Sequence, residues 1–318
     1  MSWRRFVPGE RALRLAGVGL VLALAVLAVR KLDLRQVAAA FVGVKLLPLV
    51  LAMAANVGAL WTQSMRWLAL ARPVAPTATR RDAFRAMVTG FAVGLVMPAR
   101  AADVARFHML SRRSGSSMAA LAATVMLDHV VGGATLLALL GVFAAFVPLP
   151  DWMRNAVHAS LVVAVVSAVV MFVLRPRAGA PEATHGVRGL VVRLRSGLIA
   201  VGQPRRLALS AVWAIAGWIF EVAITVFTLY AFGLPTSLEV GVLVMLATAL
   251  SAAVSISPGN AGVFEVSVVL ALAGFGVPGE TAVAFAIAYH AMHLVPVAIL
   301  GGIFVLRAGA DDLARDRA

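Results

Sequence analysis

The sequence predicts an all-α polytopic membrane protein, with six full spans and two Pro/Gly-broken re-entrant helical hairpins arranged as an inverted repeat. Three observations predict it. Of the 318 residues, 62% are hydrophobic and 13% are charged, with a mean hydropathy of +0.95. The apolar residues fall in long runs separated by arginine-rich stretches. Two of the runs are short and adjoin polar breaks that contain proline. A soluble domain carries about 25% charged residues, so a soluble enzyme, a disordered chain and a disulfide scaffold are excluded. The chain has no cysteine, which excludes thiolate catalysis and Cys-ligated metal.

A span needs about 20 apolar residues to cross roughly 30 Å of hydrocarbon. The first run is Leu13–Val29, followed directly by Arg30 and Lys31, which disfavour a cleavage site; it reads as a retained anchor. Full spans follow at Leu46–Leu70, Met118–Val147, Val157–Leu174, Leu207–Phe232 and Thr281–Leu306. Asp82 to Met97 leads into Pro98-Ala99-Arg100, and Ala101 to Leu110 leads back, which predicts the first hairpin. Leu238–Ile256 leads into Ser257-Pro258-Gly259-Asn260-Ala261-Gly262, and Val263–Val277 leads back, which predicts the second. Short, partly amphipathic basic segments, Asp33–Lys45 and Val187–Gln203, each follow a first span.

Positive charge sets orientation. The basic N-terminal tail, the Arg72–Arg85 loop, Arg112-Arg113 and the loop Arg175 to Arg206 are expected in the cytoplasm, as are both termini. The net charge of +14 is then topological and lipid-facing, and nucleic acid is not an expected partner. The order span, amphipathic segment, span, hairpin, span occurs twice in opposite orientation, giving one integral membrane domain, 1–318, with repeat halves 12–147 and 152–307. Inverted repeats with broken helices in corresponding positions point to a transporter whose site lies near the midplane.

The chemistry-bearing residues cluster at these breaks. Arg100, Asp103 and Arg106 recur every third residue on the return arm of the first hairpin, one face with alternating sign. Either the arginines grip a lipid phosphate with Asp103 positioning them, or the three pair with one another at a solvated helix end. Asn260 and Glu265 complete the candidate substrate-binding set. Glu265 either caps the helix that follows the break, or faces a cavity, where it pairs with Arg100 or binds a proton. Pro98, Pro258, Gly259 and Gly262 make the breaks. Asp128 and Glu221 stand inside apolar spans, and His290 and His293 share a face of the last one. Ionisable groups at such depth are candidates for coupling, as proton carriers or partners of arginine; the alternative for the acids is a neutral form bonded to a neighbouring helix. No His-Glu-x-x-His spacing, Gly-x-Ser-x-Gly or Walker motif occurs, so no metal, no cofactor and no catalytic residue is expected.

The two proline motifs resemble those of the lysylphosphatidylglycerol synthase transmembrane-region family, a flippase-like membrane domain. They read Gly90…Gly94…Pro98-Ala-Arg100-Ala-Ala-Asp103-Val-Ala-Arg106…Leu110 and Pro258-Gly259-Asn260-Ala261-Gly262-Val263-Phe264-Glu265, and Arg66-Trp67 and Asp128 also fit. The chain departs from the resemblance at Thr124-Val125, where Glu-Arg is common, at Asn260 in place of a second glycine, and at Tyr289-His290 near a common arginine. The C-terminal transferase domain of multidomain relatives is not expected with it, so a synthase is not expected either. The resemblance implies lipid translocation in a bacterial inner membrane, with membrane lipids as partners; a separate lipid-synthesis enzyme and an oligomer are both open. The alternatives are a membrane glycosyl or acyl transferase with Asp103, Glu265 or His290 as base, and a non-catalytic subunit of an envelope-lipid assembly.

Overall fold

The computed structural model describes residues 33–97, 99–144, 151–175, 186–254 and 257–315, with 99–100, 144, 151–154, 156–157, 187–188, 253–254 and 305–315 described by backbone alone. The expected first span Leu13–Val29 and the break residue Pro98 lie outside the described residues, as does the side chain of Arg100. All regular structure among the described residues is helical: α1 Leu34–Ala39, α2 Leu46–Ala71, α3 Arg80–Val96, α4 Ala99–Ser114, α5 Met118–Ala144, α6 Asp151–Leu174, α7 Gly186–Ser196, α8 Pro204–Ala231, α9 Leu238–Val254, α10 Val263–Ala273 and α11 Gly279–Arg315, with 3-10 turns at Ile199–Gly202 and Pro258–Asn260. Four of them are long and apolar enough to cross a membrane, over Leu46–Ala71, Met118–Phe143, Pro204–Ala231 and Gly279–Phe304. The chain is a multi-pass membrane protein.

Local chemistry sets the helix ends. The Thr79 hydroxyl accepts the Asp82 N–H while the Asp82 carboxylate accepts the Thr79 N–H, a reciprocal cap that starts α3. Pro204 begins α8, where its missing N–H is not needed. The expected last span, Thr281–Leu306, is the middle of a longer helix: α11 continues to Arg315 and passes through Pro296 without a break. Neighbouring helices make such prolines tolerable in membrane helices.

α2 and α8 form the central pair. Ala52, Ala55 and Ala59 of α2 share one buried cluster with Ile224 and Leu229 of α8, and small side chains let the backbones approach closely, where packing rather than water drives association. Around this pair the contacts are exchanged between the two predicted halves. α11 packs on α1, α2 and α3, and α5 packs on α7 and α8, while Leu136 and Leu140 of α5 meet Leu243 and Leu246 of α9.

α3 and α4 pack together as a hairpin, as do α9 and α10. The open end of the first hairpin is fastened by an Arg113–Asp82 ion pair at 3.3 Å and by Thr77 donating to the Ser114 carbonyl at 3.2 Å. Burial pushes the Asp82 carboxyl up, but its Thr79 hydrogen bonds and the Arg113 guanidinium outweigh burial and hold it below the ordinary Asp value. The Pro258–Asn260 turn of the second hairpin packs against both α3 and α4 of the first.

The contact between α3 and α11 is tight at one glycine. A Cβ on Gly301 would collide with the Ala92 Cβ, whereas nothing lies within 4 Å of one on Gly302. Gly301→Ala should therefore destabilise the protein by about 1–3 kcal/mol through overpacking. Gly302→Ala should be neutral or stabilise by up to about 1 kcal/mol through helix propensity. Thermal midpoints in detergent of the two variants check this, and the two should move in opposite directions or only the first should fall.

Candidate functional site

Asp128 of α5 is fully buried, with a side-chain exposure of 0%. An ionised acid in that position needs cations from the protein itself. Arg66 of α2 supplies a two-pronged contact, Nε to Oδ1 at 2.7 Å and Nη2 to Oδ2 at 3.1 Å. Arg106 of α4 donates from Nη2 to Oδ2 at 3.2 Å. Arg106 is itself 4% exposed. Its guanidinium stands over the Trp67 ring at 5.0 Å, and Nη1 points at the Met87 sulfur at 3.2 Å. Its Nε is 3.5 Å from Asp103 Oδ1 and has no hydrogen-bond acceptor among the described residues. Asp103 also meets His129 Nε2 at 3.1 Å. The result is one network, Arg66–Asp128–Arg106–Asp103–His129, tying α2, α5 and α4 together.

The surroundings are shaped to it. Trp67 is held by its indole N–H donating to Thr124 Oγ1 at 3.0 Å, so the threonine that stands where the resemblance expects an acid has a structural task. Gly132 leaves the space that Arg66 fills, since a Cβ there would lie 2.7 Å from Arg66 Nη1. Arg100 occupies the first turn of α4.

The second group lies at the other break. Gly259 has φ +58 and Gly262 φ +84, with Asn260 between them at φ +62; glycine takes these left-handed angles without the Cβ clash. Asn260 Nδ2 donates to Ser251 Oγ at 3.3 Å, and among the described residues its buried Oδ1 has no partner. Glu265 Oε2 accepts the Gly262 N–H at 2.7 Å, which is the capping role. Glu265 Oε1 is 2.6 Å from His290 Nδ1. His290 Nε2 is 2.8 Å from the Gly259 carbonyl, and the ring stacks on Phe264 with centroids 4.3 Å apart.

His293, on the same face of α11, repeats the pattern. Its Nδ1 lies 3.0 Å from the Tyr289 carbonyl and its Nε2 lies 3.1 Å from Glu221 Oε2. Gln63 of α2 donates to the other Glu221 oxygen at 3.4 Å. The buried Tyr289 hydroxyl bonds Thr225 at 2.7 Å.

The candidate residues thus sort into an Arg–Asp network under the first hairpin and two Glu–His pairs whose histidines belong to α11. The two hairpins meet where the Pro258–Asn260 turn touches α3 and α4; a Cβ on Gly259 would be 3.8 Å from the Leu95 carbonyl. Among the described residues no three potential metal ligands gather. The sequence puts Arg66 at the end of the second span without naming its partner, and the structure turns it inward onto Asp128. The signal was present: a buried acid in an apolar helix demands a base, and Arg66 belongs to a neighbouring apolar run. Gln63, Phe264 and Tyr289 carry no comparable signal, because an amide or an aromatic in a span is ordinary.

Asp128→Ala should leave two guanidiniums buried and undercompensated, at a cost of about 3–5 kcal/mol. Arg66→Gln combined with Asp128→Asn should cost clearly less than the sum of the two single changes, since it removes both charges of the tightest pair. The measurement is a double-mutant cycle on the thermal midpoint of purified protein; strict additivity would deny the coupling.

No curated protein and no solved structure matches the chain. The family described as Lysylphosphatidylglycerol synthase TM region matches residues 14–301 of the sequence. That match takes in both hairpins and reaches from the first of the four long apolar helices into the last, and the chain belongs to this family.

Proposed function

We propose that the protein moves a polar or charged-head (phospho)lipid, or a lipid-linked intermediate, across the bacterial cytoplasmic membrane. The head group passes between the two hairpins while the tails remain in the bilayer. The observation that carries this reading is the packing of the Pro258–Asn260 turn against α3 and α4, with ionisable groups buried on either side. Non-helical backbone at membrane depth is tolerated only inside protein or along a watery cavity. Ionisable residues there mark substrate pathways. The exchange of helix contacts between 12–147 and 152–307 supports the inverted-repeat reading, with both termini in the cytoplasm.

Arg100 and Arg106 hold the phosphate in this mechanism. Arg66 and Asp128 fix Arg106, and Asp103 sits between the two arginines in sequence. Two arginines and two aspartates of the network balance, so Arg100 adds a cation beyond them, which suits an anionic head group. Asn260 and Glu265 approach from the opposite break. No covalent chemistry is assigned to any of these residues, and the lipid is supplied by a separate synthetic enzyme.

The test is leaflet exchange of a fluorescent phosphatidylglycerol in liposomes containing purified protein, read with a membrane-impermeant quencher. Wild type should exchange the lipid unchanged. Arg100→Lys keeps the charge but loses the planar donor fork, and it should slow exchange. Arg100→Ala should slow it further, roughly tenfold or more, the equivalent of one charge-assisted hydrogen bond. Wild-type exchange by Arg100→Ala at matched abundance overturns the phosphate role. A chemically altered lipid would instead indicate an enzyme, and neither exchange nor alteration a subunit of a larger assembly.

A further inference from the structure

Both histidines of α11 have an oxygen against each ring nitrogen. For His290 these are the Gly259 carbonyl at 2.8 Å and a Glu265 carboxyl oxygen at 2.6 Å. A carbonyl oxygen only accepts, so Nε2 must carry a proton. The Nδ1–Glu265 contact needs a proton as well, on the ring or on the carboxyl. The pair therefore holds one proton more than a neutral imidazole beside a carboxylate. Without it, one of two contacts fails. Either the Nδ1 lone pair faces the carboxylate, or the Nε2 lone pair faces the Gly259 carbonyl.

These two contacts fasten the second break to α11 from both sides. Gly259 stands before the turn at Asn260 and Gly262 after it, and Glu265 carries the link to Gly262 through its N–H. The proton thus holds a segment whose backbone is left-handed at Gly259, Asn260 and Gly262, and which packs on the first hairpin. The groups facing this site are accounted for by element. α10 offers Glu265, α8 offers Glu221, and α11 itself offers Tyr289 and His293. α9 offers Ser251 and α2 offers Gln63, both uncharged. From α3 and α4 no hydrogen bond or ion pair to His290 or Glu265 is made by the described side chains, and Arg100 is the cation flanking the facing break.

We propose that Glu265 and His290 form a proton-binding site that latches the tip of the second hairpin, and that the proton is the ion coupled to lipid movement. Release of one proton to water opens the latch, and no other bond changes. Glu221 and His293 form a second station on the same face of α11, with Phe264 between the two rings, stacked on His290 and edge-on to His293 at 5.7 Å. The coupling half of the proposal rests on the translocation reading; the latch does not.

The experiment uses a nitroxide attached at A261C, an exposed tip position in a chain that has no other cysteine. In lipid nanodiscs the mobile fraction of the label should rise as the pH is raised, by roughly tenfold in the open-to-closed ratio for one lost charge-assisted bond. E265Q gives His290 an uncharged partner whose amide donates to Nδ1, so the label should stay immobile as the pH rises. H290Q removes one of the two fastenings and should leave it mobile throughout. H108Q, outside the latch, should keep the wild-type response. A wild-type label indifferent to pH, or an H290Q protein that keeps the response, overturns the latch whether or not lipid is moved. In liposomes a pH gradient should accelerate lipid exchange by wild type but not by E265Q. Exchange that ignores the gradient overturns the coupling while leaving translocation itself standing.

Discussion

Asp128 gathers two guanidiniums in a place without bulk water. A lone carboxylate at that depth would be driven to neutralise, and lone arginines there would be driven out toward the interface. Paired, they are held, and the pairing fixes much else. Arg66 can reach Asp128 only if α2 and α5 keep their register, and Arg106 only if α4 folds back against α3. Trp67, Thr124, Met87 and Gly132 each line this network with a shape or a single hydrogen bond. An ion network of this kind need not raise stability above that of an apolar core. Its effect here is specificity: it leaves one arrangement of the first hairpin in which no charge is stranded.

The rest of the scaffold answers to a different solvent. α6 exposes Val162, Val163, Val165, Val166, Val169 and Val170, and of its described apolar side chains Met171 is the one that is buried. In water such a helix would be a liability; in hydrocarbon the same surface carries no penalty. Association then depends on close packing, which explains why alanines and glycines stand where helices cross, as at Ala52, Ala55 and Ala59 on α2 and at Gly301 on α11.

These two solvents also decide what could be read from the sequence. The long spans at Leu46–Leu70 and Leu207–Phe232 were legible almost to the residue, because a run of apolar side chains has few other uses. So were the two breaks, because proline and glycine constrain the backbone whatever surrounds it. The end of α11 was not legible, since its extension to Arg315 has no apolar signal. The site was legible as a set of residue types and not as a set of partners. Arg66 reads as a topological charge until α5 is placed beside it, and the attachment of His290 to Gly259 depends on a left-handed turn that sequence spacing does not announce.

One correspondence links the two hairpins chemically. In each, an acid a few residues after the proline break pairs with a histidine of the next long helix: Asp103 with His129 of α5, and Glu265 with His290 of α11. The surroundings then separate them. His129 is 53% exposed, and Asp103 shares its charge with Arg106, so that pair is reached by solvent. His290 is 7% exposed and spans Glu265 and the Gly259 carbonyl, so its proton is built into the turn. A repeated acid–histidine unit has therefore been given two environments, one beside the buried arginines and open to solvent, the other enclosed and mechanically tied to the break. That division fits the proposed cycle, in which the first hairpin supplies the charge that meets an anionic head group and the second the part that moves when a proton comes or goes.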